Sequence, residues 1–167
     1  MIYQALVNQH LASARLILAE GTRQENTAHS LQRAFEHSAL HALNGAYLCQ
    51  LRVIADNYHC GDIAAIGDIE ALLAALVAKE ILAPEAAEIK VLVNEGWLGQ
   101  LLKALQQLFL PASPQIPTQV RPVASQSDIA LRDDDREEPV LNADQLQHWL
   151  LALEELVQRQ GEMMLEY

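Results

Sequence analysis

Residues 37–60, HSALHALNGAYLCQLRVIADNYHC, hold three of the chain's six histidines and both of its cysteines. Arg52, Asp56, Asn57 and Tyr58 lie among them. His37 and His41 are four positions apart, so on a helix both rings project from one face, a spacing that suits a shared metal ion. Two ligands do not make a centre, because zinc sites take three or four protein ligands. His10, His29, Glu36, His59, Cys60 or Asp62 complete one only if the fold gathers them. The alternative, preferred on these residues alone, is one histidine held by a buried hydrogen bond and one partly exposed. Cys60 becomes a reactive thiol only beside a cation that lowers its pKa, and the sequence places none there. Tyr58 is expected to pack its ring and donate its hydroxyl to a nearby group. The chain has no Gly-rich phosphate loop, Ser nucleophile elbow, CxxC pair or Glu-x-x-His carboxylate array.

An Arg followed by a His after four to six intervening residues resembles the ribonuclease motif of the HEPN superfamily, whose members are small helical bundles, commonly dimeric. Arg52 and His59 have that spacing. The resemblance implies that the Arg stabilises phosphate charge and the His serves as general acid or base. Arg23 and His29 fit the same loose spacing, and the Asn usual beside the Arg is replaced by Val53 and Gln24. The plainer reading of Arg52 is an ion pair with Asp56 one turn on.

The chain as a whole weighs against an RNA substrate. Its formal net charge is −11, which repels phosphate backbones, and no Lys/Arg cluster offsets it. Nucleic-acid and membrane-surface partners are therefore not expected. Cys49 and Cys60 are eleven positions apart, about 16 Å along a straight helix, too far for a disulfide. They read as reduced thiols of a reducing compartment. With no signal peptide evident and no apolar stretch near the roughly 20 residues that span a bilayer, the expected location is cytoplasmic.

The elements that must position these side chains are helices. Half of the 167 residues are apolar and only 5% are aromatic, and the apolar content is mostly Leu, Ala, Val and Ile, with Leu and Ala strong helix formers. Apolar spacing predicts helices over 2–20, stopped by Gly21, and over 28–58, capped by Asn26 or Thr27. Gly45 falls within the second, as at a close approach of another helix. A third, 69–82, opens at Asp68 and is apolar nearly all round, which predicts full burial. Shorter helices follow over 85–94, after Pro84, and over 97–109. A last amphipathic helix opens at Asn142, with Gln145 at capping-box spacing.

The architecture read from this pattern is all-α: an antiparallel bundle of about four to six helices. Residues 1–110 form the bundle core and 111–141 a Pro-rich and acidic linker. Residues 142–167 carry the C-terminal helix, docked on the bundle or delivered to a partner.

HALNGAYLCQLRVIADNYH, followed by APEAAEIKVLVNEGWLGQLLKAL, resembles a family of small uncharacterised proteins from gammaproteobacteria, a domain of unknown function. Ala12-Ser-Ala-Arg15 and Leu16 fit the same resemblance, which covers roughly residues 1–110. It implies a bacterial cytoplasmic helical protein and carries over no activity and no catalytic residue.

The function expected is therefore non-enzymatic, an interaction or scaffold protein with no cofactor. It engages a protein partner, or a second copy of itself as a homodimer, through apolar helix faces. The residues expected to carry it are Leu146, Trp149, Leu150, Leu153, Leu156 and Val157. The runner-up is an enzyme built on His37, His41, Arg52 and His59, either metal-dependent or HEPN-like. That requires helix two to break, because His41 and His59 stand about 27 Å apart along an unbroken helix. A third reading is a small-molecule-binding bundle with an apolar pocket near Trp97 or Trp149.

Overall fold

The structure, a computed structural model, describes residues 2–24, 29–110 and 141–165. These form six α-helices and one 3-10 turn, with no strand among the described residues. The chain is an all-α bundle. The expected caps at Asn26 or Thr27 and most of the expected linker lie outside the described residues.

Helix α1 (Ile2–Arg23) buries Val7, Leu11, Ala14 and Leu18, a three-and-four spacing that puts them on one side of the helix. It is longer than its sequence implies. Gly21 lies inside it, buried, because the Phe35 side chain sits where a Cβ at Gly21 would be only 3.3 Å away. A glycine read as a stop is a packing site instead.

Helix α2 (His29–Asn57) is the hub, touching every other helix. Small side chains explain how: Ala39, Ala42, Ala46 and Ala55 are all buried and let neighbours approach from several sides. At Gly45 the approach is closest, where a Cβ would come within 2.7 Å of the His10 ring. The contacts Gly45 with His10 and Gly21 with Phe35 set α1 and α2 antiparallel.

Helices α2 and α3 (Ile69–Val77) end alike. The Cys60 amide bonds the Ala55 carbonyl at 2.8 Å and the His59 amide bonds Asp56 at 3.0 Å. The Ile81 amide bonds Leu76 at 3.0 Å and the Glu80 amide bonds Val77 at 2.9 Å. Both are Schellman motifs, which need a left-handed residue. That residue is His59 (φ 51°) in one and Glu80 (φ 58°) in the other, with no glycine at either. The Lys79 ammonium ties the two ends together by donating to the carbonyls of Tyr58 and His59, where a cation favours a helix C-terminus.

The Schellman turn stops α3 five residues short of the predicted end, and full burial is not found. Ile69, Leu72 and Leu76 face the core, while Val77 is 71% exposed and Leu82, just beyond the helix, is 95% exposed. The Asp68 cap is formed, its carboxylate accepting from the Ala71 amide at 2.7 Å. Helix α4 (Pro84–Glu95) opens on its proline, whose missing amide costs nothing in the first turn. Helix α5 (Trp97–Gln107) follows at a sharp corner, where a Cβ on Gly99 would collide with the Val93 carbonyl oxygen.

Helix α6 (Ala143–Leu165) is capped by Asn142, whose side-chain oxygen accepts from the Gln145 amide at 2.8 Å. It packs on α1, α2 and α5.

Candidate functional site

Among the described residues, a cleft of about 970 Å³ opens between α1, the end of α2 and α6. Gln4, Asn8, Leu11, Ala12 and Arg15 line the α1 wall. They recur at helical spacing because one side of α1 faces it, with Leu11 at the boundary to the core. Val53, Asp56, Asn57 and His59 come from α2 and its Schellman turn. The α6 wall is Glu154, Val157, Gln158, Gly161, Glu162 and Met164. Leu11, Ala12, Val53, Val157 and Met164 give an apolar strip, and amides, carboxylates, Arg15 and His59 surround it. Arg15 reaches Glu154 at 2.6 Å across the two walls.

On the other side of α2 and α6 lies a closed polar seam. The Gln50 amide donates to Gln160 Oε1 at 3.0 Å. The Gln160 amide donates to the Glu85 carbonyl oxygen at 3.3 Å and to Glu88 Oε2 at 3.0 Å. The Tyr58 hydroxyl donates to Glu85 Oε2 at 2.9 Å, and Arg159 pairs with Glu88. Gln50, Glu85 and Gln160 are each at most 1% exposed. Burying such groups is tolerable only when they are hydrogen-bonded, and α4 supplies the partners. Gln50 Oε1 alone has none among the described residues.

The sequence-predicted residues do not converge. His37 is half-buried and His41 exposed, its ring meeting Phe109 edge-on with centroids 6.2 Å apart. Among the described residues no three His, Cys, Asp or Glu side chains are grouped to hold a metal ion. Arg52 does not turn to Asp56. Its Nε donates to the Ile66 carbonyl at 3.2 Å and its Nη2 to Ala64 at 3.4 Å, with the Tyr3 ring 5.9 Å away. It thereby holds the 3-10 turn Ile63–Ala65 against α2. Helix two is unbroken, and of His37, His41, Arg52 and His59 only His59 lines the cleft.

Leu146, Trp149, Leu150, Leu153, Leu156 and Val157 are 0–7% exposed. These residues pack within their own chain, and of the six only Val157 also lines the cleft. Neither Trp97 nor Trp149 lines the cleft. Cys49 and Cys60 are free and buried, and burial raises the Cys49 thiol pKa against the lowering effect of Arg52.

Sequence reasoning missed Gln50, Gln160 and Glu85. A signal existed for Gln160, which continues the spacing Leu146, Trp149, Leu153, Leu156 as a polar residue on an apolar face. It missed the cleft as well, since nothing in the spacing of Gln4, Asn8, Arg15 and Gln158 marks them as the lining of a shared space.

Among the described residues, no helix is long and apolar enough to cross a membrane. No curated protein and no solved structure matches the chain. A family model does match, over residues 1–167, and agrees with the resemblance to a domain of unknown function: the chain belongs to the family of unknown function DUF6586.

Proposed function

We propose that the protein is a binding module that seats a helical segment of another protein in the cleft between α1, α2 and α6. The shape of the cleft carries this reading. Its α1 wall runs from Gln4 to Arg15 and its α6 wall from Glu154 to Met164, each about 15–17 Å at a rise of 1.5 Å per residue. That length fits about three turns of a docked helix, whose apolar side meets the strip while its flanks meet hydrogen-bonding rims. The groups with catalytic potential support binding over chemistry: Arg52 is engaged by backbone carbonyls and the histidines stand apart. The proposed setting is a reducing cytoplasm, supported by two buried free thiols. A net charge of −11 supports a partner other than nucleic acid.

Photo-crosslinking from the cleft tests this. A photoreactive residue at Ala12 or Gln158 of the full chain is expected to yield one discrete protein adduct in the cells of origin, absent when the residue is placed at Glu95 on α4. Adducts from Glu95 alone, or a stoichiometric small ligand or metal in native mass spectrometry with no protein adduct, would overturn the reading. An adduct of twice the chain mass would identify the partner as a second copy.

A further inference from the structure

We propose that the protein pairs with a second copy of itself across the corner between α3 and α4, a surface that shares no lining residue with the cleft. The turn that ends α3 creates this surface. Its left-handed Glu80 directs Ile81 back against the core, in the place of the apolar residue that accompanies a Schellman turn. Leu82 follows and faces outward, 95% exposed. Beside it lies a groove of about 270 Å³, walled by Leu73, Leu76 and Val77 of α3 and by Pro84 and Ala87 of α4. All eight residues that line it, Leu82 among them, are apolar. Such a groove accepts an apolar side chain and rejects a polar one, which would lose its hydrogen bonds there. A knob and a groove on one patch are what a two-fold pair requires: Leu82 of each copy enters the groove of the other in a self-complementary contact. The area suffices. Val77 is 71% exposed, and Ala78, Pro84 and Ala87 are exposed; with Leu82 they make an apolar patch of about 400 Å², of the size that marks interaction sites. Because little over half of an interface is apolar, that patch corresponds to about 700 Å² per copy, close to the roughly 800 Å² per partner of a standard interface. Charge permits the contact as well. The chain carries −11, yet the charged side chains bordering the patch balance: Lys79 with Glu80 at the turn, Glu70 with Lys90 at 3.4 Å, and Glu88 with Arg159. Two acidic copies therefore meet where neither presents excess charge. Glu95 lies about 12 Å beyond Ala87 along α4, outside the contact.

The test is sedimentation velocity of the full chain over a dilution series at physiological ionic strength. The expected result is a monomer–dimer equilibrium in the micromolar range. Leu82→Glu should weaken it at least tenfold, and Leu151→Glu, which puts the same charge at an exposed leucine of α6, should leave it unchanged. Ala87→Trp fills the groove and should weaken it as Leu82→Glu does. A monomer at every concentration up to millimolar would overturn the proposal. A dimer indifferent to both Leu82→Glu and Ala87→Trp would place the contact elsewhere and overturn it too. Equal weakening by Leu82→Glu and Leu151→Glu would reduce the effect to charge repulsion, with the same consequence. Species that grow beyond the dimer with concentration would show a head-to-tail contact and overturn the two-fold pair.

Discussion

Helices α2 and α6 meet two very different surroundings on two of their sides. On one, Gln50, Gln160, Glu85 and Tyr58 form a polar seam sealed by α4. On the other, Val53, Val157 and Gln158 line a cleft open to solvent. Gln158 and Gln160 are two residues apart, about 200° around the helix, and one is exposed while the other is wholly buried. The same side-chain chemistry is structural in one place and available in the other. What separates them is a covering helix: α4 fills the seam side, and none of the described helices covers the cleft. An uncovered side that is nonetheless lined by both apolar and polar groups is what a docked segment requires.

The sharpest way to break that comparison is to mutate both glutamines alike. Gln160→Leu strands the Gln50 amide and the Glu85 carbonyl in the interior, a loss of about 2–4 kcal/mol. Gln158→Leu should stay within about 0.5 kcal/mol. Urea denaturation of both variants measures the gap, and equal losses would mean that the seam is not the closed side.

Alkaline pH tests the closed interior without a mutation. Burial, and secondarily the charge of Asp68, pushes the Tyr47 hydroxyl up to about 12. Between pH 10 and 12 the unfolded chain releases this proton and the folded chain keeps it. Its contribution is therefore present below pH 10 and is lost as pH rises toward 12, by about 2–3 kcal/mol. Stability curves at pH 8 and pH 11 should show about half of this fall in the wild type, and Tyr47→Phe should reduce it.

A smaller effect is expected of Tyr58→Phe, which removes the donor to Glu85 Oε2 and should cost about 1–2 kcal/mol while leaving partner binding at the cleft unchanged. Loss of binding with intact stability would show that seam and cleft are coupled.

The smallest effect runs in the opposite direction. His59→Gly and Glu80→Gly each relieve a left-handed residue and should each stabilise by about 1 kcal/mol. Only His59 lines the cleft. Weakened cleft binding in His59→Gly alone, against equal gains in thermal midpoint, would assign the imidazole a binding role there. Matched binding in both would leave it a capping residue.

Much of the fold was legible because it is local. The caps at Asp68 and Asn142, the proline that opens α4 and the close approach at Gly45 follow from residue types over a few positions. The core stripe of α6 follows from spacing, although the stripe alone did not say whether its own chain or another would cover it. Gly21 was misread because its reason for being there is Phe35, fourteen residues away on the next helix. The end of α3 was misread because Glu80, with no glycine or proline to announce it, adopts a left-handed turn.

By itself, then, the sequence determined which segments are helical, where several begin and which stripe of each is apolar, since these depend on interactions within a few turns. Only the tertiary structure decided which polar groups are sealed and which are open. Gln50 meets Gln160 across 110 positions and Arg15 meets Glu154 across 139, and no periodicity within one helix reports what packs against it from so far along the chain. The cleft has the same origin. It is a space bounded by three helices, and the spacing within any one of them does not report it.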